Sequence, residues 1–141
     1  MIGIIGGSGL DDPKLIEDYM EKEVETPYGK PSSKITCGKI SGVEVCILSR
    51  HGKNHGIPPS RINFRANIEA LRLCGCSHIL STSAVGSLKE EIKPGDLVFP
   101  DQFIDFTKRR DSTFYNTLGK VKHTEMAEPF SKKLREILIN E

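Results

Sequence analysis

Apolar residues fall in short runs whose spacing switches along the chain between the period of a strand and that of a helix. Residues 2–5 (IGII) form an apolar burst ended by glycines, the pattern of a buried parallel strand. Asp12 followed by Pro13 reads as an N-cap with proline at the first helical position, which predicts a helix through KLIEDYM. Residues 34–40 and 43–49 alternate about Ser41-Gly42 and predict a hairpin, with a continuous apolar stretch from Cys46 to Leu48. IPPSRIN cannot begin as a helix, because each proline disfavours helix in the residue before it. Phe64, Ile68, Leu71 and Leu73 then lie at roughly helical spacing, and the helix closes near Gly75. HILST at 78–82 is the next strand, followed by the turn SAVGS, and LVFPDQFIDF at 97–106 predicts another, interrupted by Pro100. Phe130, Leu134, Ile137 and Leu138 share one helical face, so the chain ends within or at the edge of a helix that has no glycine cap. Strands and helices alternate without repeat, low-complexity segment or linker, which predicts a single α/β domain over residues 1–141.

Composition narrows the class without changing the fold. A chain of 141 residues, 37% hydrophobic and 28% charged, is an ordinary globular domain that buries most of its unfolded surface. Twenty basic residues against nineteen acidic leave a charge of +1, so nothing draws the molecule to nucleic acid or to an anionic membrane. The N-terminus lacks the basic-then-apolar pattern of a signal peptide, and no apolar run approaches the roughly 20 residues of a membrane helix. A cytoplasmic protein is expected. Cys37 and Cys46 each sit in a strand-like run, where a small buried thiol is expected. Cys74 and Cys76 lack the two-residue spacing of a zinc knuckle or thioredoxin motif, and no second ligand pair is present, so no metal site is expected.

The glycine-rich turn IGIIGGSGLDD tests for a nucleotide cofactor and fails. A dinucleotide fingerprint needs a glycine at position 12, but Asp12 stands there, beside Asp11, and two carboxylates repel a pyrophosphate. The phosphate loop of nucleoside triphosphatases needs a lysine that does not follow. A tight turn with exposed amides and the Ser8 hydroxyl suits a single small anion, or serves only to connect a strand to a helix. RHGKNH favours the anion. It places Arg50, His51 and His55 after a strand, where α/β sheets bind ligands, and arginine offers a fork of donors matched to phosphate. His51 and His55 are not a metal pair on a helix, since Gly52 and Gly-Ile-Pro-Pro oppose helix there. The turn TSAVGS adds the hydroxyls of Ser83 and Ser87 at a third strand end.

Five segments in order, IGIIGGSGLDDP, TPYGKPS, RHGKNHGIPPSRINFRANIEAL, STSAVGSLKEEIKPGDLVFPDQFIDFT and HTEMAEPF, closely resemble the N-terminal half of the methylthioadenosine phosphorylases. These are a trimeric branch of the purine nucleoside phosphorylase family, and the resemblance covers essentially the whole chain. It implies the nucleoside phosphorylase fold, a mixed, mostly parallel central sheet flanked by helices, with the C-terminal part missing from this chain. It implies phosphorolysis of 5′-methylthioadenosine to adenine and 5-methylthioribose 1-phosphate, part of purine salvage, with inorganic phosphate as co-substrate and no cofactor. Another purine specificity (methylthioinosine, inosine or guanosine) and a non-catalytic phosphate- or nucleoside-binding fragment are the competing readings.

Residue by residue, the resemblance implies that Ser8 binds phosphate through hydroxyl and amide, that Arg50 and His51 contact the same anion, and that Ser83 with Ala84 closes the site. His123 in KHTEMAEPF would reach the sugar in a neighbouring subunit's site. The implied partners are the C-terminal half of the enzyme and further copies in a homotrimer or higher oligomer. The resemblance implies that the residues that receive the leaving base lie in that other half.

Overall fold

The computed structural model describes residues 1–7 and 15–141, so the Asp12-Pro13 cap lies outside the described residues. The chain divides into two compact units, Met1–Ala84 with Arg109–Phe114, and Val85–Lys108 with Tyr115–Glu141.

The first unit is built on a five-stranded sheet. Its strands are β1 (Ile2–Gly6), β2 (Glu17–Lys22), β3 (Ile35–Ile40), β4 (Val43–Ser49) and β5 (His78–Ser81), in the order β2-β3-β4-β1-β5. β1 runs parallel to both β4 and β5, whereas β2–β3 and β3–β4 are antiparallel. The expected mixed sheet is present, but its pairings divide evenly, so the parallel share is smaller than expected. The hairpin turns at Ser41 and Gly42, with φ of 48° and 76°, the paired left-handed geometry that matches strand twist.

Alternation along β4 sends Val45 and Ile47 to one face and Cys46 and Leu48 to the other, and all four are buried. The first pair clusters with Ile16, and the second with Ile5, Ile35 and Cys37 against Ala70 and Leu71 of helix α1 (Phe64–Leu73). Leu71 is fully buried, a placement that stabilises by about 1.5–3 kcal/mol. Asn63 caps α1, its Oδ1 accepting from the Ala66 amide at 3.1 Å, and Gly75 leaves the helix at a φ of +89°.

Three expectations are corrected. The predicted helix through KLIEDYM gives way to β2 over Glu17–Lys22, an exposed edge strand. Its apolar residues are too few to form a helical face, and pairing with β3 supplies the hydrogen bonds instead, across an irregularity between Glu17 and Met20. The approach is so close that a Cβ on Gly38 would stand 2.4 Å from Ile16 Cγ2 and 2.6 Å from the Glu17 carbonyl oxygen, so position 38 must be glycine. Cys37 and Cys46 are not separate thiols. They face each other in the β3–β4 register, with Cα atoms 4.1 Å apart, and form a disulfide. Spacing alone did not reveal this, because the pairing depends on the hairpin register.

The third correction concerns the second unit, where residues 97–106 form no strand. Leu97, Ile104 and Phe106 are exposed, Pro100 removes a donor, and the described residues of the unit offer no neighbouring strand. Its regular element is helix α2 (Lys132–Asn140), capped by Ser131, whose Oγ accepts from the Leu134 amide. The Arg135 Nε donates to the Phe99 carbonyl at 3.0 Å, and Phe103 meets Phe130 edge to face.

Candidate functional site

Parallel pairing brings the carboxyl ends of β4, β1 and β5 side by side. The Arg50 amide donates to the Gly6 carbonyl at 2.9 Å, and the Thr82 amide donates to the Ile5 carbonyl at 3.0 Å. Across this edge lies the Arg50 side chain, whose Nη1 donates to the Thr82 carbonyl at 2.8 Å and ties the end of β4 to that of β5. Its Nη2 stands 3.6 Å from where a Cβ on Gly7 would be, so the backbone at Gly7 passes close to the guanidinium.

His51 is fixed by its Nδ1, which lies 2.9 Å from the Ile57 carbonyl oxygen. A carbonyl only accepts, so Nδ1 carries the hydrogen, and in the neutral ring Nε2 is left as an acceptor, 3.5 Å from the Arg50 Nε. The His55 ring stacks on His51 at 5.7 Å. Between them Gly52, at a φ of +74°, lets the loop pass the Ser32 carbonyl, where a Cβ would sit at 3.1 Å.

The loop carrying TPYGKPS is held from α1. The fully buried Asn67 accepts from the Ser32 amide at 2.7 Å and donates to the Ser32 Oγ at 3.0 Å, and the Asn63 Nδ2 donates to the Tyr28 carbonyl at 2.7 Å. The Ser33 Oγ in turn accepts from the Ser49 amide at 3.0 Å, one residue before Arg50. Each polar contact fixes backbone beside the strand ends.

These elements border an open cavity of about 470 Å³. Ile5, Ile62, Phe64 and Ile79 form its apolar wall, and Arg50, His51, Ser81, Ser83 and Arg110 supply its polar groups, with no carboxylate among the described lining residues. Two arginines, with no acid among the described lining residues, suit an anion, and the apolar wall suits a ring or sugar beside it.

Of the residues singled out in the sequence, the structure brings Arg50, His51 and Ser83 to one cavity. Ala84 follows in the same unit and is exposed. Ser8 lies outside the described residues, and His123 is an exposed residue of the second unit. Sequence reasoning missed Arg110, whose guanidinium lies 4.7 Å over the Phe64 ring. The segment Arg109–Phe114 returns to the first unit through Arg65, which pairs with Asp111 and donates to the Thr113 carbonyl, and through Tyr28, which meets Phe114 edge to face. No spacing rule links positions so distant in sequence; the only signal was the basic pair Arg109-Arg110 next to aromatic residues.

The family model of the phosphorylase superfamily matches residues 1–141. The S-methyl-5′-thioadenosine phosphorylase of Xenopus tropicalis is 56% identical over 144 residues, which cover 99% of this chain and 51% of the relative. That of Hyperthermus butylicus is 52% identical over 139 residues, covering 99% and 50%. Among solved structures, methylthioadenosine phosphorylase from Schistosoma mansoni in complex with adenine superposes with a TM-score of 0.91 at 49% identity, covering 99% of this chain and 52% of that one. The chain thus spans about half the length of the curated relatives it matches. Matched along its whole length by the family model and by these relatives, the chain belongs to the phosphorylase superfamily.

Proposed function

We propose that this chain is the phosphate-holding half of an enzyme that cleaves 5′-methylthioadenosine with inorganic phosphate, giving adenine and 5-methylthioribose 1-phosphate. The observation that carries the reading is the convergence of three parallel strand ends under one arginine, in a cavity with no carboxylate among its described lining residues. The names of the relatives support the substrate, as do the Schistosoma mansoni structures in complex with adenine and with tubercidin.

In this mechanism Arg50 and the Ser83 region, with the Ser8 turn, take phosphate from water and hold it beneath the anomeric carbon. The His51 Nε2, left as an acceptor by the Ile57 contact, receives a hydroxyl of monoprotonated phosphate. As the glycosidic bond breaks, the ribose carbon becomes cation-like, and the fixed anion both stabilises it and attacks it. Positioning and preorganised donors do the work, so Ser8 is no acylating nucleophile. Phosphate is a co-substrate, and no cofactor or metal takes part. Protonating the departing purine falls to groups in the other half of the enzyme.

The same reading makes the enzyme a cytoplasmic purine-salvage protein that assembles as a trimer, with His123 near a subunit boundary. No described helix is long and apolar enough to cross a membrane. Sedimentation of the complete protein at micromolar concentration checks the assembly, and a stable monomer overturns it. Adenine release from 5′-methylthioadenosine and phosphate tests the activity. Residues 1–141 alone are expected to give none, since loss of acid–base assistance to a leaving group costs about 10²–10⁴-fold, and adding the other half restores it. Turnover by residues 1–141 free of any partner overturns this division of the chemistry, and failure to restore it overturns the activity.

A further inference from the structure

Where the middle of the β3–β4 hairpin packs against the end of α1, sulfur collects on the same sheet. The Sγ atoms of Cys37, Cys46 and Cys74 all lie within 4.8 Å of one another, on β3, on β4 and at the C-cap of α1. The Met1 Sδ lies 3.2 Å from the Cys46 Sγ, and Cys76 packs against the same cluster. Two of these sulfurs are joined, while Cys74 and Cys76 are free, half-buried thiols. A buried disulfide with no thiol in reach is inert, whereas one with a third thiol at this distance has a partner for exchange.

We propose that the Cys37–Cys46 bridge is exchangeable, with Cys74 as its attacking thiol, so that the bridge moves between the hairpin and a link from the hairpin to the end of α1. In the step, the Cys74 thiol gives its proton to solvent, and the thiolate forms a bond to one sulfur of the bridge. The Cys37–Cys46 bond breaks, and the displaced sulfur leaves as a thiolate that takes up a proton. One disulfide and one thiol are present before and after, so no oxidant or reductant is consumed. The helix end is suited to the small approach required, since Cys74 and Gly75 form its closing turn, with Gly75 at a φ of +89°. In the exchanged form the end of α1 is covalently tied to the hairpin whose second strand leads into Arg50 and His51.

Burial pushes the Cys74 thiol above its ordinary range, partly offset by the nearby Lys22 charge. Exchange therefore runs slowly near neutrality, and below the thiol's pKa it gains about tenfold for each unit of pH, as the thiolate fraction does.

The test uses the purified protein with Cys76→Ser, oxidised with glutathione disulfide, held at different pH values, quenched with acid, alkylated and mapped by mass spectrometry. Bridges from Cys74 to Cys37 or Cys46 are expected, appearing faster with rising pH and absent in Cys74→Ser. A map that shows only Cys37–Cys46, with Cys74 alkylated after prolonged incubation at alkaline pH, overturns the proposal. Cys37→Ala supplies a second measurement, because it needs no exchange to reveal reach. Glutathione disulfide should then yield a Cys46–Cys74 bridge, and a Cys46–glutathione adduct beside a free Cys74 overturns the assignment.

Discussion

The two units of this chain carry similar kinds of apolar residues and use them differently. In the first, Ile35, Leu48 and Leu71 are 0% exposed beneath a sheet whose strands cover one another and α1. In the second, Leu88, Leu97 and Leu118 are 105%, 84% and 100% exposed, and no described residue is buried. Hydrophobicity alone does not make a core. A strand-like sequence such as residues 97–106 becomes a strand only where a neighbour takes its amides and carbonyls, and the first unit supplies such neighbours internally. Apolar surface on the scale of the second unit is what an interaction face presents.

The contrast can be broken most directly by hydrogen exchange. If the proposed other half is added, amides of residues 85–108 and 115–141 should gain roughly hundredfold or more in protection, while those of β1 and β4 change by less than about tenfold. Equal gains in both units would show that the first is not self-sufficient. Truncation gives the next largest effect: Leu71→Ala should destabilise residues 1–141 by about 2–5 kcal/mol in denaturant titration, and Leu118→Ala by no more than about 0.5 kcal/mol. Comparable losses at the two positions would erase the distinction.

Arg50→Ala asks whether the first unit carries the anion site. Hydrogen bonds to charged groups contribute about 1.5–3 kcal/mol each, so phosphate affinity by calorimetry should fall at least tenfold, and an unchanged affinity sinks the assignment. The smallest effect lies on α1, where Arg72 donates two hydrogen bonds of 2.8 Å to Glu69 and holds its carboxyl below the usual range. Because the folded pKa is the lower one, the contribution is complete above the unfolded value of about 4.3 and fades as pH falls through the folded one. Glu69→Gln should therefore lower the thermal midpoint slightly near pH 6 and leave it unchanged near pH 2, and the reverse order would contradict the ion pair.

What could be read in advance followed local patterning. β1, the Ser41-Gly42 hairpin, α1, β5 and α2 announce themselves by period and punctuation, and Arg50, His51 and Ser83 by their positions after strands. β2 was misread because an edge strand is chosen by its partner, and its own residues carry no strong period. The strand expected at 97–106 failed for the converse reason, having the pattern without the partner. The disulfide and Arg110 depend on which distant segments meet, and neither local propensity nor spacing encodes that.

The polar clamps around the strand ends share one habit. Arg50, His51 and Asn63 each reach a main-chain carbonyl, at Thr82, Ile57 and Tyr28. A carbonyl is present whatever side chain its residue bears, so evolutionary drift at 28, 57 and 82 leaves the receiving half of each clamp in place. Variation is then constrained at the three donors and relaxed at the three receivers. A survey of tolerated substitutions should find these positions sharply asymmetric, although each pair shares a single bond.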